Sequence, residues 1–160
     1  MHETERNRLL GDIRRFQLAR GDMLQVIAAV EALNAEKVNG YLCRALETAI
    51  VVCYARPFGS RNAVGPLSTN WPPISDDPEL HAELMRLRDQ VYAHTDKTEA
   101  RQVVDVSEWL GLDSPAYTEG WHAIDREKLA AIAELARRLE ACLAAAVAEH
   151  TAELGTGGTE

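Results

Sequence analysis

The fold turns on the stretch Leu80-His81-Ala82-Glu83-Leu84-Met85-Arg86-Leu87-Arg88-Asp89-Gln90-Val91-Tyr92-Ala93-His94-Thr95-Asp96. It reads as a single helix. Asp77 is a good N-cap, Pro78 is tolerated at the first helical position, and Glu79 sits at the positive end of the helix dipole. At about 100° per residue, Leu80, Leu84, Leu87 and Val91 fall within a narrow arc and form an apolar stripe. His94 lies near one edge of the stripe and Arg88 near the other, about 120° apart on the same wheel. They do not stack on one face, but both can reach a groove or subunit seam that the stripe packs against.

Upstream, Gly59 to Asp77 reads as a loop rich in Gly, Pro, Ser and Asn, with Trp71 and Ile74 as its anchors to the core. A helix from about Glu36 to Ala55 precedes it, with the stripe Val38, Tyr41, Leu42, Ala45, Leu46, Ala49, Ile50 and Cys53 and a weak point at Gly40. It stops at Tyr54-Ala55-Arg56-Pro57-Phe58, because Pro57 pushes Arg56 out of helical geometry. Phe58 is expected to fold back onto the core. Arg56 is a cation at a helix C-terminus, a stabilising place for one. The same arginine has a second reading, facing a site near His94.

Asp22 reads as the cap of a helix from Met23 to Leu33, with Val26, Ile27 and Val30 in its stripe. Met1 to Arg20 reads as a separate short amphipathic helix, locally basic through Arg6, Arg8, Arg14, Arg15 and Arg20. A solvated helix or a dimer arm explains it more simply than an RNA-contacting arm.

Downstream, Lys97 to Ile124 has no helical period. Gln102 to Val106 and Ala116 to Trp121 pair on paper as a small hairpin. The last helix begins at Asp125 and carries a broad apolar face through Leu129, Ile132, Leu135, Ala136, Leu139, Cys142, Leu143 and Ala146. The expectation is an all-α bundle of four to five helices. It has a small irregular or hairpin insertion before the last helix, one domain over residues 1–154, and a disordered tail over 155–160.

The chain has 160 residues, 46% of them hydrophobic and 26% charged, the composition of an ordinary globular domain. A net charge of −8 argues against a general nucleic-acid coat, though not against a local basic site. Arginine greatly outnumbers lysine and suits forked contacts to phosphate or carboxylate. A cluster of Arg56, Arg61, Arg86, Arg88 and Arg101 is the place where such a site would form. No stretch reads as a signal peptide or a membrane span. Cys43, Cys53 and Cys142 have no spacing suited to a disulfide frame or to zinc, so they read as thiols in a reducing cytoplasm. His81-Ala82-Glu83 has the H-x-E form of zinc deaminases, but the P-C-x-x-C partner is missing and the reading is rejected. No cofactor or metal is expected.

Arg88-Asp89 followed by His94 matches the R-polar-x4-H pattern of the HEPN superfamily, small helical domains of toxin–antitoxin, antiviral and RNA-processing systems. Leu87 to Asp96 also resembles the LR-(N/D)…AH-(S/T)-D wording of HEPN-like proteins related to AbiU-type phage-abortive proteins. The helix ending in Tyr54 to Phe58 is similar to the one that precedes the motif in such chains. The resemblance covers roughly residues 23 to 150 in order of elements. It implies a metal-independent endoribonuclease in which Arg88 and His94 of a homodimer form a composite site, with Asp89, Arg56, Tyr92 and Asp96 in support. The substrate would be RNA, cleaved to a 2′,3′-cyclic phosphate. The partner would be an antitoxin or a nucleotidyltransferase.

The alternative is a non-catalytic helical dimer that binds a nucleotide, RNA or a protein. In that case Arg88 merely pairs with Asp89, Asp96 or Glu83, and Tyr92 is plain packing. His2, His81, His122 and His150 show no partner in the sequence.

Overall fold

The computed structural model of the chain describes residues 2–35, 40–60, 64–89, 101–105, 117–121 and 124–156, the two strands among them by their backbone alone. The order of elements is α1 (Glu3–Ala35), α2 (Gly40–Ala55), a 3-10 turn (Arg56–Phe58), α3 (Pro72–Asp76), α4 (Pro78–Leu87), β1 (Arg101–Asp105), β2 (Tyr117–Trp121), a second 3-10 turn (Arg126–Lys128) and α5 (Leu129–Thr156). The fold is an all-α helical bundle. β1 pairs antiparallel with β2, Arg101 opposite Trp121 and Asp105 opposite Tyr117, as a small hairpin ahead of the last helix.

α1 and α5 are the long members, and they run antiparallel. Asp12 lies against His150, Arg20 Nε donates to Glu140 Oε1 at 2.5 Å, and Arg126 Nη1 donates to the Leu33 carbonyl at 3.2 Å. Between them α1 contributes Phe16, Met23, Val26, Val30 and Leu33, and α5 contributes Leu129, Ile132, Leu135, Leu139 and Leu143. α2 adds Ile50, Val51 and Tyr54, and α4 adds Leu80 and Leu84. Each fully buried aliphatic side chain of this kind contributes on the order of 1.5–3 kcal/mol.

Two helices expected at 1–20 and 23–33 are one. α1 passes through Gly21 and Asp22 without a break, because the buried positions Leu9, Phe16, Ala19, Met23, Val26, Val30 and Leu33 keep one helical stripe across them. Tertiary packing against α5 overrides the local cost of Gly21, about 1 kcal/mol relative to alanine. Asp22 is therefore no cap; its carboxylate is buried in mid-helix and taken by Arg56. The basic first segment is no free arm either, since Leu9 and Phe16 are buried and Arg8, Arg15 and Arg20 have acidic partners.

α2 starts at Gly40, whose φ of +60° lies in the left-handed region where a side chain would be strained. Its first turn departs from the expected stripe: Tyr41 and Leu42 are exposed rather than core, and burial begins with Glu47 and Ile50. Asp77 caps α4 by accepting from the Leu80 amide at 3.2 Å, and Asp125 accepts from the Glu127 amide at 3.0 Å. Ile74 is buried, and Phe58 and Trp71 pack against the core. α5 runs to Thr156, so Gly155 and Thr156 are helical where a disordered tail was expected. Thr156 Oγ1 donates to the Glu153 carbonyl at 3.1 Å and satisfies one of the terminal acceptors. Among the described residues no helix is long and apolar enough to cross a membrane.

Gly21→Ala is expected to raise stability by about 0.5–1 kcal/mol, since a β-carbon there meets nothing within 4 Å and the helix continues on both sides. Leu139→Ala, at a site 1% exposed, should lower it by about 2–5 kcal/mol. Urea unfolding followed by circular dichroism measures both.

Candidate functional site

The end of α2, the turn after it and the face of α4 form one corner of the bundle. Tyr54, fully buried four residues before Phe58, shares a 2.8 Å hydrogen bond between its hydroxyl and His81 Nδ1. The Phe58 ring meets the His81 ring edge-on, 4.9 Å between centroids at 82°. Burial pushes the Tyr54 hydroxyl far above its usual range, with the Asp77 charge adding to it, so the phenol stays protonated. Burial also holds the His81 imidazole below its ordinary value of 6.5, favouring the neutral ring.

Arg88 lies on the face of α4 that carries His81, two turns further on. Its amide closes onto the Leu84 and Met85 carbonyls, and the backbone at Arg88 and Asp89 widens to a π-type turn. Such turns often sit at functional sites. The Arg88 guanidinium is ion-paired with the adjacent Asp89, and its side chain is 38% exposed. A β-carbon on Gly59 would sit 3.7 Å from Arg88 Nη2. The guanidinium thus lies beside the turn that ends α2. Glu83, one of the acids considered for Arg88, is taken by Lys128 Nζ at 2.7 Å instead.

Arg56 is turned to α1. Its Nη1 donates to Asp22 Oδ1 at 2.7 Å and its Nη2 approaches Cys53 Sγ at 3.8 Å. Cys53 Sγ in turn donates to Gln25 Oε1 at 3.2 Å. Burial raises the Asp22 carboxyl and the guanidinium of Arg56 offsets part of that rise. Burial likewise pushes up the Cys53 thiol, which makes it a poor nucleophile. Arg56 therefore has a structural partner, while its side chain remains 54% exposed. Arg61, Tyr92, His94 and Asp96 lie outside the described residues, as does the side chain of Arg101.

The corner brings together Tyr54, Phe58, His81 and Arg88. Of these the sequence reading singled out only Arg88 as a site residue. His81 has a signal in retrospect: it is seven residues before Arg88, hence on the same helical face, and it follows an aromatic pair spaced four apart at Tyr54 and Phe58. Comparison of the chain with protein-family models, with curated proteins and with solved structures finds no match in any of the three. Among the described residues no group of three or more His, Cys, Asp and Glu side chains is placed to hold a metal ion.

A neutral, partly buried histidine makes stability depend on pH. Below 6.5 the unfolded chain binds a proton that folded His81 resists, so the contribution of His81 is fully present above 6.5 and is lost as pH falls through its depressed native value. Urea midpoints should therefore fall between about pH 7 and about pH 5, and His81→Gln should flatten that slope. Tyr54→Phe should cost about 1 kcal/mol by removing the hydroxyl that His81 uses.

Proposed function

We propose that this chain is a metal-independent endoribonuclease of the HEPN type, acting on RNA through Arg88 and His94 as a homodimer. The observation that supports the reading is the state of Arg88. In an all-α bundle it stands at the end of α4, partly exposed, with Asp89 holding one side of its fork. A guanidinium so placed has further N–H groups to give a phosphate.

RNA carries its own nucleophile. The 2′-hydroxyl oxygen attacks the adjacent phosphorus and loses its proton to one imidazole. The bond from phosphorus to the 5′-oxygen breaks, and that oxygen takes a proton from a second imidazole. A 2′,3′-cyclic phosphate and a free 5′-hydroxyl result. His94 suits both proton transfers because an imidazole titrates near neutrality. In a twofold dimer the two copies of His94 supply base and acid. Arg88 offsets the charge that builds on the non-bridging oxygens of the pentacoordinate transition state. Asp89 orients Arg88; Tyr92, Asp96 and Arg56 are the further residues that the HEPN resemblance puts in support. An antitoxin or a nucleotidyltransferase is the partner this reading favours.

Purified protein should cleave a mixed RNA pool in EDTA and leave cyclic phosphate ends. Arg88→Ala and His94→Ala should each reduce the rate by roughly 100-fold or more while the oligomeric state persists. If the wild-type protein leaves the pool intact at high concentration, the chain is a binding module and not a nuclease.

A further inference from the structure

On another part of the surface, the middle of α1 and the segment 66–72 enclose an open groove of roughly 580 Å³. The buried Phe16 and Leu67 lie at its base, Trp71 is partly buried beside them, and the exposed Ser68 and Asn70 form its rim. Trp71 and Phe16 meet edge to face, 5.5 Å apart at 87°. Phe16 is 9% exposed and its ring is flanked by Trp71, His150 and Arg15, so the flat apolar surface open to a ligand is that of Trp71.

Among the described residues one charged group, Arg15, lines the groove. Its guanidinium carbon lies 5.5 Å from the Phe16 ring centre, and its Nη2 donates to Asp12 Oδ1 at 2.5 Å. Its Nε is buried and has no acceptor among the described residues. Gly65 stands next to it with φ +83°, and a β-carbon there would come within 3.5 Å of Arg15 Nη1. Asp12 serves Arg8 as well, at 3.3 Å, and His150 Nε2 lies 3.8 Å from it. Two guanidinium groups thus share one carboxylate. Among Arg8, Arg15 and Asp12 two positive charges face one negative, in a chain whose net charge is −8. A small anion is favoured at the groove, whereas a long polyanion would meet the acidic remainder.

We infer that this groove binds a small planar aromatic anion, its ring against Trp71 and its carboxylate or phosphate on Arg15. Neither the nuclease reading nor Arg88 enters this assignment, and its readout is binding alone. Both an aromatic carboxylic acid and a nucleoside monophosphate carry the required chemistry.

Isothermal titration of the full chain with indole-3-acetate and with AMP, each beside its uncharged counterpart (indole-3-acetamide, adenosine), separates the two sources. At least one anion should bind roughly tenfold or more tightly than its counterpart, the difference expected of a charge-assisted hydrogen bond. Arg15→Gln should erase that difference, and Trp71→Leu should weaken the anion by roughly tenfold. Arg137→Gln, at an exposed ion pair away from the groove, should change nothing. The wild-type comparison of anion with neutral counterpart stands even if Arg15→Gln fails to fold. Equal affinity for the charged and uncharged forms, or no binding of either anion at about 1 mM, overturns the assignment.

Discussion

α1 and α5 bury a shared row of apolar side chains along antiparallel axes, and the other elements take their positions from that row. Neither helix is stable in water on propensity alone at the strength a folded domain needs; the amphipathic face supplies what propensity does not. The row runs from Phe16 to Leu33 on one helix and from Leu129 to Leu143 on the other. α2 and α4 close it from the side through Ile50, Val51, Tyr54, Leu80 and Leu84.

The polar groups caught near this core then decide where the connections go. Asp22 is buried on α1, and a buried carboxylate needs a partner. Arg56 supplies it from the far side of α2, and in doing so fixes the turn Arg56–Phe58 against α1. The Leu67 amide donates to the Pro57 carbonyl at 2.8 Å, which ties the following loop to the same turn. That loop carries Trp71 onto Phe16, and the groove beside Arg15 follows from it. The corner with His81 and Arg88 and the groove with Arg15 are thus built off one turn, by different side chains.

The two regions differ in what their charges are free to do. At the corner, Tyr54 and Phe58 hold His81 by a hydrogen bond and a ring contact, while Arg88 shares its fork with the neighbouring Asp89. At the groove, one carboxylate is divided among two arginines and lies near a histidine, and the buried Nε–H of Arg15 has no acceptor among the described residues. A leftover buried donor is uncommon in folded proteins, because an unmet hydrogen bond costs more than most packing defects.

Local sequence signals settled the helical class, the cap at Asp77, the stop at Pro57, the anchors Trp71 and Ile74, a hairpin expected at 102–106 with 116–121 and found at 101–105 with 117–121, and the apolar face of the last helix. These are local properties, written within one turn or one strand of sequence. The union of residues 3–35 into one helix was not legible, since Gly21-Asp22 carries a local break signal that packing against α5 outweighs. The same holds for Asp22, whose side chain serves as a cap or as an ion-pair partner according to what lies opposite. His81 and His150 looked idle because their partners, Tyr54 and Asp12, are set by helices meeting in space. A single chain states which groups it has and how each segment prefers to coil. Which groups meet is decided when apolar faces are buried together, because that burial fixes distances that sequence separation does not.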